Sequence, residues 1–279
     1  MLYLPASHER ALAKAATLPC DGVILDLEDA VAPDAKPAAR SAACAAVTAG
    51  GYGSRELAIR VNGAGTPWHD DDLAAVCGAG PDAVLVPKVD SAEAVHALVA
   101  RMEQHGAPDR TTLWAMVETP RAMLHAEEIA GASDRLTVVV MGTNDLAKEL
   151  LAEHVPGRAP LLTGLSLALL GARATGTAIL DGVYNDVSDA EGFLAECRQG
   201  RQLGFDGKTL IHPSQVDGAN AAFAPDQEAV EDARGMLAAW EEGGDRGVVT
   251  YRGRMVERLH VDTAQRTLAL HEAVTRSPE

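Results

Sequence analysis

Glu118 and Asp145 are the residues of this chain best placed, by type and context, to do chemistry. Leu113-Trp114-Ala115-Met116-Val117 runs into Glu118, and Leu136-Thr137-Val138-Val139-Val140-Met141-Gly142 runs into Asn144-Asp145. If the two runs are neighbouring strands, about 4.8 Å apart, their end residues reach a common point. Carboxylates that converge repel unless one is protonated or a cation joins them. No His/Cys cluster has zinc spacing, so the expected ion is hard and oxygen-seeking, Mg2+ above all, with water and substrate oxygens completing its shell. The rival reading is that each acid caps the helix after it. It is a real rival for Asp145 before Leu146-Ala147-Lys148-Glu149, and a weaker one for Glu118, because glutamate caps poorly.

Four further apolar runs end the same way. Gly22-Val23-Ile24-Leu25-Asp26-Leu27 leads to Glu28-Asp29, and Leu57-Ala58-Ile59 to Arg60-Val61-Asn62-Gly63. Ala83-Val84-Leu85-Val86-Pro87 leads to Lys88, and Lys208-Thr209-Leu210-Ile211 to His212. An arginine at such a place cannot lose its charge, so Arg60 needs a carboxylate, from substrate or from Glu28/Asp29. Lys88 could form a Schiff base only if desolvation lowered its pKa, and the acids sharing its site would keep it protonated. His212 reads as a rim contact or a satisfied structural histidine, with the second ahead.

Runs alternating with Ala/Leu/Glu/Arg-rich helical segments imply parallel βαβ units, whose strand C-termini form the working face. Adding Leu2-Tyr3-Leu4 and Thr177–Tyr184 makes eight strands. Helices are expected near 8–17, 34–49, 69–78, 91–105, 121–130, 159–174, 189–203 and 214–222. Eight of each fit a closed (β/α)8 TIM barrel over 1–223. A doubly wound sheet would carry G-x-G-x-x-G after its first strand, and none is present. From 224 to 279 the pattern changes to a helix capped by Asp226, a hairpin over 248–256 turning at Arg252-Gly253, and a helix near 259–274. Such an extension cannot fit inside a closed barrel. It is expected to act as a lid over the barrel's mouth or a neighbouring subunit.

The 279 residues carry a net charge of −16, which argues against nucleic acid and anionic membranes as partners. An anionic substrate must therefore find a local basic patch. The four cysteines lack C-x-x-C spacing and read as free thiols in a reducing cytoplasm. His8, Glu9, Arg10 and Lys14 interrupt any signal-like segment, and no run reaches the ~20 apolar residues of a membrane span. A cytoplasmic protein is expected.

Asp26-Leu27-Glu28-Asp29-Ala30-Val31 with Lys36 and Ala39-Arg40 resembles the signature of the citrate lyase β-subunit-like family, within the HpcH/HpaI aldolase group. Ile59–Asn62, Val86–Val89, Glu118-Thr119-Pro120, Phe205–Lys208 with Ile211–Pro213, and Met255-Val256 continue it in order. The resemblance implies an Mg2+-dependent barrel, commonly trimeric, that makes or breaks a carbon–carbon bond between an acyl-CoA and a 2-oxo acid. It implies Glu118 and Asp145 as metal ligands, with Glu118 also beside the substrate. It also implies Arg60 as the clamp on the oxo-acid carboxylate, with Glu28 and Asp29 as acids behind them. Arg10, Lys14, Lys36 and Arg40 lie where such proteins meet the CoA phosphates.

Three places depart from the family pattern. The N-terminal Arg-Ser pair is missing, Asn144 stands where many relatives carry an acid, and Glu257 stands where lyases of malyl- and citramalyl-CoA place an acid/base aspartate. The reaction expected is cleavage of citryl-, malyl- or citramalyl-CoA to an acyl-CoA and an oxo acid such as oxaloacetate, with Glu257 as acid/base. The alternatives are a malyl-CoA thioesterase, a malate synthase-like enzyme, a phosphoenolpyruvate/pyruvate-type barrel, and a β subunit that works only inside a citrate lyase complex. A homotrimer or hexamer is expected.

Overall fold

A computed structural model describes residues 1–244 and 247–275. They form two compact units, Met1–Ala222 and Phe223–Glu279. The strands of the first unit are β1 (Leu2–Pro5), β2 (Gly22–Asp26), β3 (Glu56–Arg60), β4 (Ala83–Val86), β5 (Thr112–Val117), β6 (Leu136–Met141), β7 (Ala178–Asp181) and β8 (Gly207–Lys208). All seven neighbouring pairs are parallel and run in chain order, as a (β/α)8 barrel requires. Closure comes from a parallel bridge between Leu2 and Leu210. There the Tyr3 amide donates to the Leu210 carbonyl and the Leu210 amide to that of Met1, each at 2.8 Å.

Helices follow the strands: α1 (Glu9–Ala15), α2 (Lys36–Ala49), α3 (His69–Ala79), α4 (Ala92–Gln104), α5 (Pro120–Leu124), α6 (Ala126–Ala130), α7 (Thr143–Glu149), α8 (Leu162–Thr175), α9 (Ala190–Leu203) and α10 (Val216–Phe223). Local chemistry marks their ends. Ser91, Thr119 and Asp189 accept the amides of Ala94, Ala122 and Gly192. The helix expected over 121–130 is two short helices broken at His125. Helix α7 lies outside the eight expected helices, at the place where a helix capped by Asp145 is the rival reading, and its seven residues are too few to show a helical period. The helix expected from 159 begins at Leu162, behind a tight turn in which Gly157 and Arg158 both take positive φ.

Every residue of β2 and β4 is buried, as in sheets covered on both faces. Strand alternation then sorts the side chains. Ile24, Ala58, Leu85, Trp114, Met116 and Val140 fill the barrel interior. Counting two residues on puts Asp26, Arg60 and Glu118 in the next inward layer, at the strand C-termini.

The second unit holds α11 (Gln227–Gly243), a hairpin of β9 (Val249–Tyr251) and β10 (Arg254–Val256), and α12 (Arg258–Thr275). Asp226 caps α11 by accepting the Ala229 amide. The hairpin turns at Arg252 and Gly253, with φ of 46° and 74°, the handedness that two-residue hairpin loops need. Among the described residues, no helix is long and apolar enough to cross a membrane.

Helices α6 and α8 meet at Gly171, where a Cβ would lie 2.5 Å from the Ala126 carbonyl carbon. Gly171→Ala should therefore destabilise the protein by about 1–3 kcal/mol. Gly78→Ala, in an open position on α3, should stabilise it by about 0.5–1 kcal/mol. Urea denaturation followed by circular dichroism measures both.

Candidate active site

Asp26 and Arg60 end adjacent strands and stand opposite each other in register. The Arg60 guanidinium donates from Nε to Asp26 Oδ1 at 2.6 Å and from Nη2 to Oδ2 at 2.7 Å, a side-on bidentate pair. Asp26 also accepts the amides of Glu28 at 2.9 Å and Ala30 at 3.0 Å, so the loop after β2 is tied to the same carboxylate. The remaining Arg60 nitrogen, Nη1, lies 3.0 Å from Glu28 Oε2 and 3.6 Å from Asp29 Oδ2. The guanidinium stacks 4.8 Å above the Tyr3 ring. Burial acts to lower the Arg60 pKa, but the hydrogen bonds and charge of Asp26 outweigh it and raise it.

Glu118 is 2% exposed and touches main chain on two sides. Its Oε1 accepts the Lys88 amide at 2.8 Å. Its Oε2 packs against Gly142, where a Cβ would lie 2.0 Å away, so any larger residue there would displace the Glu118 side chain. Burial, with Glu28 and Asp145 nearby, pushes the Glu118 carboxyl up to about 7. Glu28 is also pushed up to about 7, by burial against the pull of Arg60 and with help from Asp29.

Asp145 sits in the first turn of α7, whose N-cap is Gly142 with no side-chain cap. Its carboxylate faces Lys88 instead, 3.2 Å from Nζ, so the capping alternative fails. Burial would lower the Lys88 pKa, but the charges of Glu118 and Asp145 outweigh it and raise it. The amine is held as an ammonium, against the Schiff-base reading. Beside it, Asn144 and Asn185 exchange side-chain amide bonds at 3.1 and 2.7 Å.

Tyr3, Arg60, Glu118, Asn144, Asp145 and Asn185 all line one cleft of about 280 Å³. That volume suits the acid end of a substrate rather than a whole nucleotide. Among the described residues, no group of three or more His, Cys, Asp or Glu side chains gathers in a way that could hold a metal. Two carboxylates are enough for Mg2+, which keeps several waters and takes one or two protein acids. Glu118 fits the part, a buried carboxyl whose ionisation burial and neighbouring acids oppose and a cation would restore.

The structure sorts the other expected residues. Arg10 and Lys14 are exposed one turn apart on α1. Lys36 is turned away from phosphate contact: it is 5% exposed, and its ammonium donates to the carbonyls of Leu27 at 2.9 Å and Glu28 at 2.8 Å. It clamps the Glu28 loop from beneath. Arg40 is spent on Asp72 at 2.6 Å and Asp71 at 3.4 Å. Asp29 is largely exposed at the rim. Glu257 belongs to the second unit, where its amide donates to His260 Nδ1 at 3.1 Å. His212 caps the turn Pro213–Gln215, the structural role.

Sequence reasoning gave Asp26 no role. Its signal was present, since Asp26 follows inward-facing Ile24 by two residues and falls opposite Arg60 when the strand ends are aligned. Asn185 carried no such signal, because it lies in a loop after β7.

Fold and cleft together define a (β/α)8 enzyme with paired acids at its strand ends. The model of the HpcH/HpaI aldolase/citrate lyase family matches residues 1–213, and that of a carbon–carbon bond lyase of the TIM-barrel fold matches residues 165–273. The chain belongs to the HpcH/HpaI aldolase/citrate lyase family, a family of carbon–carbon lyases. It is 50% identical over 276 residues to a (3S)-malyl-CoA thioesterase of Cereibacter sphaeroides, covering 98% of this chain and 94% of that one. It is 35% identical over 280 residues to the citrate lyase subunit beta of Leuconostoc mesenteroides, covering 98% and 93%. The structure of CitE from Mycobacterium tuberculosis in complex with magnesium, acetoacetate and coenzyme A superposes with a TM-score of 0.80 at 34% identity, over 97% of each chain.

Removing one partner of a buried pair leaves an uncompensated charge. Asp26→Ala should cost about 3–5 kcal/mol of stability, with Glu28 limiting the loss to the lower end. Asp29→Ala removes only an exposed 3.6 Å contact and should cost about 0–1 kcal/mol. Urea titration of both variants tests the contrast.

Proposed function

We propose that this enzyme acts, with Mg2+, on the CoA thioester of a 3-carboxy-3-hydroxyacyl group, malyl-CoA foremost. The observation that carries the reading is the 50% identity, along 98% of this chain, to (3S)-malyl-CoA thioesterases. The cleft supports it, being small, acid-lined and furnished with one arginine. Hydrolysis of the thioester to malate and CoA is the first reading. Carbon–carbon cleavage to acetyl-CoA and an oxo acid is the second, favoured by the lyase family match and the 35% identical citrate lyase subunits.

Glu118 and Asp145 would hold Mg2+, which supplies Lewis-acid charge to substrate oxygens when bound. Arg60 takes the substrate carboxylate. Because its Nε/Nη2 edge already holds Asp26, the contact is made through Nη1 and the free Nη2 hydrogen, end-on. Tyr3 and Asp26 fix the guanidinium plane, so orientation is set before substrate arrives. Glu28 keeps Nη1 aimed, and Lys36 keeps Glu28 in place. Arg10 and Lys14 remain as the exposed cations for CoA phosphates. In hydrolysis, a water oxygen bonds to the thioester carbon, the C–S bond breaks and the thiolate takes a proton. In carbon–carbon cleavage, the substrate hydroxyl gives up its proton and becomes the oxo group as the bond between its carbon and the carbon next to the thioester breaks. The acetyl-CoA enolate so released takes a proton from a carboxyl group, the role assigned to Glu257. The carboxy-terminal unit acts as the lid. The enzyme works in the cytoplasm as a homotrimer or hexamer, either alone or as a β subunit with citrate lyase partners.

Malyl-CoA, citramalyl-CoA and citryl-CoA should be assayed with Mg2+ or EDTA, following free thiol and 2-oxo acid separately. Mg2+-dependent thiol release from malyl-CoA without oxo acid is expected. Glu118→Gln and Asp145→Asn should each lower it on the order of 10²–10³-fold. Oxo acid released in step with acyl-CoA selects the lyase reading. Turnover untouched by EDTA, or by both substitutions, removes the metal site.

A further inference from the structure

Lys88 is the one described residue seen to hydrogen-bond both Glu118 and Asp145, and it does so in a conformation that a lysine seldom adopts. Its φ is 56°, in the left-handed region that favours glycine. The turn aims its main-chain N–H at Glu118 Oε1, 2.8 Å away. The same residue's side chain brings its ammonium to Asp145 Oδ2 at 3.2 Å. The chain on either side holds this geometry. Pro87 precedes it with a restricted backbone. The Val89 amide donates to the Met116 carbonyl at 3.1 Å, which ties the turn to β5 just before Glu118. A side chain 47% exposed, on a flexible stem, could have been left in water. Here it lies on the carboxylate instead.

The two contacts have different consequences. The main-chain bond occupies Oε1 of Glu118, while Oε2 lies beside Gly142, and both residues line the cleft. The ammonium offsets the charge of Asp145, the acid that a divalent cation would share with Glu118. We propose that Lys88 is a tethered counter-ion of the two acids: its main-chain N–H orients Glu118, and its ammonium competes with the divalent cation for Asp145. Cation binding then releases the ammonium from Asp145 into the cleft. This rests on the reading of Glu118 and Asp145 as the metal ligands.

Calorimetric titration of Mg2+ into wild-type protein and into Lys88→Met, Lys88→Gly and Lys88→Arg separates the possibilities. The Met and Gly variants remove the charge and keep the N–H, and Gly also accepts the left-handed turn without strain. Both should bind Mg2+ about tenfold more tightly or better, as expected when a like charge a few ångströms away is removed. Lys88→Arg should bind no more tightly than wild type. A second readout is the rate at which Lys88 is acylated by an amine-reactive label, read by mass spectrometry, which Mg2+ should raise several-fold by freeing the side chain. Unchanged or weaker Mg2+ affinity in both the Met and Gly variants, with native circular dichroism, overturns the counter-ion role and leaves the metal site standing. Labelling that Mg2+ does not accelerate overturns the competition. No Mg2+ binding by wild type or any variant overturns the metal reading itself, and this proposal with it.

Discussion

The Asp26–Arg60 pair is the interaction on which the cleft depends. Taking both charges out of water is costly, and their attraction repays it only when the geometry is good and the other lone pairs are satisfied. Here both conditions hold. The guanidinium is matched side-on, and Asp26 receives two further amides from the loop that carries Glu28. One carboxylate therefore fixes the arginine and folds the acidic loop around it. Tyr3 beneath and Glu28 alongside leave the guanidinium a single orientation. Lys36 closes the assembly from outside by satisfying the carbonyls of Leu27 and Glu28.

Around that rigid pair the charges are deliberately unbalanced. Two carboxyls, Glu28 and Glu118, are held near neutrality by burial and by other acids, and the Lys88 ammonium meets only part of the demand. Arg60 is already held by Asp26, so among the described residues Lys88 is the basic side chain left facing Asp145. The close pass of Gly142 beside Glu118 adds shape to charge. It permits β6 to deliver Asp145 next to an already buried acid.

The same strand-end device is used a second time for a different purpose. Asp181 and Lys208 also end adjacent strands in register, but alternation turns them outward, toward the helix layer. There Asp181 meets Arg158 at 2.7 Å, and Lys208 meets Glu196 at 2.8 Å. This network is buried away from the cleft and pins α9 and the turn before α8 to the end of the sheet. Inward or outward placement, one residue apart, separates the ion pair that lines the cleft from one that ties helices to the sheet.

Much of this was legible along the chain. Apolar runs ending in polar residues determined eight strands, their order and the face on which Glu28, Arg60, Lys88, Glu118 and Asp145 gather, because period-two burial and parallel crossovers leave few alternatives. Asp226 and the Arg252-Gly253 turn were equally local, since capping and positive φ are chosen by residue type. Partner choice was not legible. That Arg60 pairs first with Asp26, that Lys36 and Arg40 are spent on carbonyls and acids, and that Lys88 bridges two acids depend on distances across strands. A sequence shows which residues carry charge and roughly where they point. Only the folded barrel decides which of several equally suitable opposite charges comes within 3 Å, because that is set by register, twist and the space left by Gly142.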